Sequence, residues 1–565
     1  MLKEVRARRA MSRFKWILVL AIAVSGAVHS RTNAEEKLPQ FVEDPVVSNN
    51  PNQSVPLAAV VTFKANQPVE TTITLTEGEH RWEFTYDAAR KAEKGLPVIG
   101  FRPDRKHELV VSIKNAGGEI ASSEPLTFQS PKLPSDPAEF PKIAIATSDS
   151  KMAEPGFRLF NPRRRIPRQT QAGNEQEREF GESFGMLLMV DQAGTPVWFY
   201  KTDSRIAGFN YMDNGHILYV TADYRLVEID MLGNEIRSWY ASQRPQGKST
   251  ATPVETLTFH HDADLLDNGN VLALSSERRK IENYYTSEYE ADAPRQDQWV
   301  MGDRAVEFTP GGKIVWSWKA FDHLSSRRIG YETFSHYWQR RGFPDTIDWS
   351  HANEITKLDD DSVLINFRYL SAVVKVDRKT GEILWIFGEP SGWSKELQSK
   401  LIQLQGDARW SWHQHAPTFT SRGTLLLFDN GNYRARPFNE PTSLAKTWSR
   451  AVEYELDEKT LTAKQVWTSE TADEEKVVTI AMGSASETPE KGNILVGYGA
   501  ILDPSQVHKV SWKTRSQIGQ MTRCREYTHT TPAKIVWDLR LEPTGGNPKI
   551  GWNIFGCIPV SSLQP

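Results

Sequence analysis

Val190-Asp191-Gln192-Ala193-Gly194-Thr195-Pro196-Val197-Trp198 decides the architecture, because the chain repeats its pattern. A β-branched residue and a carboxylate end one strand, a glycine makes the turn, and the next strand closes on an aromatic. Degenerate copies stand at Ile229-Asp230-Met231-Leu232-Gly233 with Ile236-Arg237, and at 308–316, 376–385, 454–467 and 534–537. Asn-Gly turns precede some of them, as at Asn214-Gly215-His216 and Asn268-Gly269-Asn270. The aromatic position falls at 198, 316, 385, 467 and 537, with Arg237 in its place in the second copy. A four-stranded blade needs about 40 residues, so the wider spacings imply insertions between strands. One such sheet cannot bury both faces, and radial closure solves that problem. The reading is an all-β chain folded as a six-bladed β-propeller, with 551–563 supplying the strand that closes the ring.

Residues 40–140 have a different texture. Period-2 runs such as Leu57-Ala58-Ala59-Val60-Val61-Thr62-Phe63 and Thr71-Thr72-Ile73-Thr74-Leu75 are separated by polar turns. They predict an N-terminal β-sandwich of about seven short strands. The proline-rich stretch 131–141 reads as the linker out of it. Residues 1–36 read as a secretory signal: Arg6, Arg8, Arg9, Arg13 and Lys15 precede the apolar run 16–28, and cleavage fits after Ala34 or Ser30. Met11 is an alternative start. The expected division is therefore 1–36 signal peptide, 37–141 sandwich and 142–565 propeller, with export to the periplasm or beyond and no membrane span after cleavage.

Lys+Arg number 68 against 71 Asp+Glu, a balance that points away from nucleic acid. In an exported protein the only two cysteines, Cys524 and Cys557, are expected to pair as a disulfide clasp on the C-terminal segment. The loops 325–349 and 390–409 are long and polar, and are expected to roof the central funnel.

Four polar stretches sit at repeat edges: Phe259-His260-His261-Asp262, Ser350-His351-Ala352-Asn353, Phe367-Arg368-Tyr369 and Gln414-His415-Ala416-Pro417. First strands of neighbouring blades converge at a propeller's axis, so these imidazoles and the guanidinium are predicted to meet. Imidazole acts as nucleophile or proton carrier near neutral pH, and an arginine fork suits a tetrahedral oxyanion. Together they suggest phosphoryl or sulfuryl transfer. His260 competes with His261, and His413 with His415, because a one- or two-residue change of register exchanges them. Trp338, Trp349, Trp410 and Trp412 could wall the site or pack between blades.

His351-Ala352-Asn353 with an arginine 17 residues after the histidine, His260-His261-Asp262 before Leu266-Asp267-Asn268-Gly269-Asn270, and Gln414-His415-Ala416 before Phe428-Asp429-Asn430-Gly431 resemble the bacterial arylsulfotransferase family. Its members are exported enzymes that work without the nucleotide sulfate donor. The resemblance implies a ping-pong transfer from an aryl sulfate to a phenolic acceptor. It makes His415 the nucleophile, has His351 and Arg368 bind sulfate oxygens, and makes His261 an oxyanion donor or proton shuttle. Asn353 would donate a hydrogen bond to substrate, and no cofactor or metal is implied. A homodimer through the sandwich is compatible. Tyr369, where a histidine is frequent, and the C-terminal cysteines depart from the family pattern. Three other readings remain. Residues 376–385 resemble the tryptophan-docking motif of quinoprotein dehydrogenase propellers, and a propeller can also be a non-catalytic periplasmic scaffold. Three histidines could also ligate zinc in a metal-dependent lyase or hydrolase, although the arginine opposes that.

Overall fold

The computed structural model describes residues 38–170, 173–470, 476–546 and 549–563; the predicted signal peptide, 1–36, lies outside the described residues. Alternation in Ala59–Ala65 and Glu70–Glu77 turns Val61, Phe63, Ile73 and Leu75 inward, and each is buried. A three-stranded and a five-stranded sheet built from these and neighbouring runs make the sandwich. Its apolar core continues into Trp198 and Met231 of the propeller. Asn50 donates to the Leu232 carbonyl at 2.9 Å and Arg102 approaches Asp191 at 3.6 Å. The sandwich thus docks on the turns of blades one and two.

Six sheets, each with an antiparallel four-stranded core, form the propeller among the described residues. The first strands of blades two to six are Ile206–Tyr211, Ala263–Leu265, Ala352–Lys357, His415–Phe419 and Ser484–Glu487. Blade one has a composite origin. Cys557–Val560 takes its first position, beside Phe157–Phe160, Gly185–Val190 and Pro196–Thr202. The predicted closing strand is therefore present. A second closure runs the other way: Lys142–Ser148 adds a fifth strand to the outer edge of blade six at Ile535–Glu542.

The aromatic of the repeat lies in the fourth strand of each blade, and in several blades its indole N–H donates to a turn carbonyl of the next. Trp198 reaches Met231 at 2.8 Å, Trp239 reaches Pro310 at 2.9 Å, Trp316 reaches Arg378 at 2.8 Å, and Trp537 returns to Gln192 of blade one at 2.8 Å. A buried indole needs such a partner. In blade two the latch is Trp239, two residues beyond Arg237.

Two expectations are corrected. Cys524 and Cys557 form no disulfide; both are free, buried thiols. The closing strand is held instead by its ladder to Phe157–Phe160 and by the Ser484 hydroxyl, which accepts the Cys557 N–H at 2.9 Å. Burial pushes the Cys524 thiol up, which makes it a poor nucleophile. The 390–409 loop does not roof the funnel: Gln403–Gln405 pairs in parallel with Thr462–Thr468 and extends the outer edge of blade five.

A buried ion pair crosses the seam between blades one and six. The Arg158 guanidinium meets Glu526 at 2.7 Å and stacks 4.8 Å from the Trp537 ring. Arg158→Met leaves Glu526 buried without its cation and should cost about 3 to 5 kcal/mol, read from the denaturant midpoint. A loss under about 1 kcal/mol, the range of an exposed pair, would show that the seam does not depend on it.

Candidate active site

Turns leading into the first strands of blades three, four and five carry His261, His351 and His413 at φ +56°, +51° and +54°. A non-glycine residue in this region is uncommon and marks a turn held by its surroundings. Two carboxylates do the holding. Asp262 accepts the Ile355 N–H of blade four at 3.0 Å and the Asn210 amide of blade two at 3.3 Å. Asp303 accepts the Ser350 hydroxyl at 2.5 Å and the Ala352 N–H at 2.7 Å, and also contacts His260 at 3.3 Å.

The predicted residues His261, His351, Arg368 and His415 line one cavity of about 280 Å³, together with His260. The His261 and His351 rings meet edge to face at 4.7 Å, and His351 stacks on Tyr369 at 4.4 Å. His351 Nδ1 bonds Asp348 at 2.5 Å, so its Nε2 is the free nitrogen. His260 is tied to the Ser275 carbonyl at 3.0 Å, and its Nδ1 meets that of His261 at 2.9 Å.

His415 is the best-defined group. Its Nδ1 lies 2.6 Å from the Asn430 amide oxygen. The orientation of that amide is set by its NH2, which donates to the carbonyls of Thr479 at 3.0 Å and Met482 at 2.9 Å. Nδ1 therefore carries the proton and Nε2 the lone pair, which accepts the Met482 N–H at 3.1 Å. Burial, then the nearby Arg368 charge, lowers the His415 pKa to about 3. Burial and the His351 ring push His261 well below its ordinary value. Arg368 bonds Glu332 at 2.5 Å and the Ile480 carbonyl at 2.9 Å, while its Nε has no protein partner. Burial opposes ionisation of Glu332, yet Arg368 and Arg515 hold it below the usual carboxylate range.

One predicted residue, Asn353, lies away from the cavity lining, and so does His413, the alternative to the preferred His415. Asn353 does not line the cavity: its NH2 donates to the Gln414 carbonyl at 3.1 Å and its oxygen accepts Asn366 at 2.5 Å. It braces the strand entry that carries His415 instead of facing substrate. His413 lies outside the cavity lining, packed against Tyr369 and Tyr433. The four tryptophans pack between elements; Trp338 bonds Asp348 at 2.9 Å and Trp349 bonds the Arg328 carbonyl at 3.1 Å. The aromatic wall is made by Tyr337, Tyr369, Phe259 and Phe555. Tyr337 comes from the 325–349 loop, which does cover the cavity as expected, and which has no counterpart in the other repeats to flag it. Among the described residues no group of three or more His, Cys, Asp or Glu is placed to hold a metal ion.

The family described as arylsulfotransferase (ASST) matches residues 145–538, and the arylsulfotransferase Ig-like domain matches 46–131. The chain belongs to the arylsulfotransferase family. The arylsulfate sulfotransferase AssT of Escherichia coli O6:H1 is 33% identical over 138 residues, 21% of this chain and 22% of that enzyme. The enzyme of the same name from Lelliottia amnigena is 31% identical over 140 residues, again 21% and 22%. The matched part thus spans about a fifth of these curated relatives. A Bacteroides caccae protein of unknown function covers 72% of this chain and 99% of its own at 13% identity, with a TM-score of 0.38. Among the described residues of this family member no helix is long and apolar enough to cross a membrane.

Because the folded His415 pKa lies below the ordinary value of about 6.5, the ring stays neutral from pH 8 down toward 4. Nitrogen-15 shifts of labelled histidine should show His415 with a protonated Nδ1 and bare Nε2 throughout that range. The same depression means unfolding takes up protons below pH about 6.5, so stability falls as pH drops from there. A His415 titrating near 6.5 would contradict the geometry.

Proposed function

We propose that this chain is an arylsulfate sulfotransferase that moves a sulfuryl group from an aryl sulfate to a phenolic acceptor through a sulfo-histidine at His415. The observation that carries this reading is a buried imidazole, locked in one tautomer by Asn430, with its Nε2 lone pair on a cavity that also presents Arg368, His351 and His261. The His415 Nε2 lone pair attacks sulfur, the S–O(aryl) bond breaks, and the phenolate leaves. Phenolate is a tolerable leaving group, since a phenolic hydroxyl has a pKa of about 10, and no activated nucleotide is needed. As the S–N bond forms, the Met482 N–H is freed to donate to a sulfuryl oxygen beside Arg368. In the second half-reaction the acceptor hydroxyl gives its proton to a cavity imidazole, for which His261 is placed, and its oxygen attacks sulfur. The S–N bond then breaks and His415 is restored. Asn353 acts in this scheme as a positioning residue. The division at 141/142, the signal peptide over 1–36 and export to the periplasm complete the proposal.

Intact-mass analysis after exposure to 4-nitrophenyl sulfate should show one added sulfuryl group, lost in His415→Asn. An adduct that persists in that variant would move the nucleophile elsewhere. Arg368→Lys should lower kcat by about a hundredfold or more, the scale of one lost oxyanion donor, because an ammonium cannot reproduce the fork. Unchanged turnover in the folded variant would make Arg368 structural.

A further inference from the structure

Arg163-Arg164-Arg165 forms a strand outside the six blades, paired antiparallel with Gly551–Asn553. Alternation sends the first and third arginines to one face and the second to the other. Arg164 is engaged, donating to the Phe180 carbonyl at 2.7 Å and the Ala138 carbonyl at 3.1 Å. Arg165 and Arg205 also line the cavity, yet their side chains make no hydrogen bond or ion pair among the described residues. Arg168, in the same wall, has an unpartnered buried Nε. Arg163, whose Nε donates to the Ile206 carbonyl at 3.0 Å, has both Arg205 and Arg165 among its electrostatic neighbours.

Ten arginines and three glutamates line the cavity, and Glu332 is already shared by Arg368 and Arg515. Burial pushes the Arg165 guanidinium down, and Arg168, Arg340 and Arg515 push it further; burial and Arg341 do the same to Arg205. A guanidinium does not release its proton in a protein. That push is therefore stored repulsion and lost hydration, which a bound anion relieves. The transferred sulfuryl group is not that anion. The charges that act on His415 are those of Arg368 and the neighbouring imidazoles, whereas those that act on Arg165 are other arginines and Glu177.

We propose that Arg165, Arg168 and Arg205 form a second anion subsite in the cavity wall, which binds a carboxylate, sulfonate or second sulfate carried by the aryl donor or acceptor. The subsite rests on the sulfotransferase reading and narrows its substrate class to aryl sulfates and phenols with a second oxyanion.

The test compares matched pairs. The donor arm uses 3-(4-sulfooxyphenyl)propanoate and its methyl ester; the acceptor arm uses 3-(4-hydroxyphenyl)propanoate and its methyl ester. In the unaltered enzyme, acid should exceed ester in kcat/KM by at least about tenfold in one arm or both, the scale of one charge-assisted hydrogen bond. The arm that responds identifies the carrier. In the Arg165→Gln/Arg205→Gln protein the acid-to-ester ratio should fall toward one. A calorimetric titration with inert 1,4-benzenedisulfonate and benzenesulfonate reads the subsite without turnover. The disulfonate should bind more tightly to the unaltered protein and lose that advantage in the double variant. Equal ratios in both arms, or a preference that survives the double substitution, would overturn the subsite. Absence of turnover with every aryl sulfate, alongside arginine-dependent disulfonate binding, would remove the sulfotransferase reading and leave the subsite standing.

Discussion

Ring closure constrains the backbone more tightly than any single site contact. Blade one has no first strand of its own until Cys557–Val560 arrives from the far end of the chain. Blade six ends with Lys142–Ser148 laid along its outer edge. Each closure covers a strand edge that would otherwise template pairing with another chain. Indole latches then tie four of the blades to the next, and Trp537 to Gln192 repeats across the seam what Trp198 to Met231 does within the ring. Because the blades cannot splay, side chains on their first strands are held at fixed mutual distances. That rigidity lets imidazoles from three separate blades share one small cavity.

Position alone would not present the rings. Each strand entry must also turn sharply enough to aim its side chain at the axis, and the positive φ of His261 and His351 provides the turn. Such backbone costs about 1 to 3 kcal/mol each, and it persists because Asp262 and Asp303 bond across to the neighbouring blade. The carboxylates that join the blades are thus the ones that hold the active rings. Removing one would disturb catalysis through geometry without touching substrate.

The architecture was legible because its signals are periodic. Alternation exposed the sandwich, and the recurring turn-to-aromatic pattern exposed the blades, even where Trp239 replaces Arg237 as the latch. His261, His351, Arg368 and His415 were legible because they stand beside those repeats. What the repeat does not encode was missed. Tyr337 and Glu332 come from an insertion with no template, and Arg163 and Arg165 sit on a ribbon that belongs to no blade. Asn353 and Cys557 show a different limit. Their neighbourhoods were correctly placed, but which atoms bond is decided by contacts from other blades. Asn353 is taken by Gln414 and Asn366; the Cys557 thiol lies against the Cys524 thiol without a covalent bond, and the Ser484 hydroxyl takes only its backbone N–H.

Electrostatics unite the site in a way composition conceals. The whole chain carries a formal charge of −3, yet its cavity is lined by far more arginine than glutamate. That field serves two ends at once. It draws anions into a cavity walled by protein, where each charge acts at lower dielectric. Burial first, and the Arg368 charge after it, also disfavour a proton on His415, leaving its lone pair bare at a pH where a solvated histidine would be partly protonated. Glu332, itself in the cavity lining, limits the excess by pairing with Arg368 and Arg515, and the Arg368 Nε has no protein partner. Without Glu332 those two guanidiniums would repel each other in a buried wall.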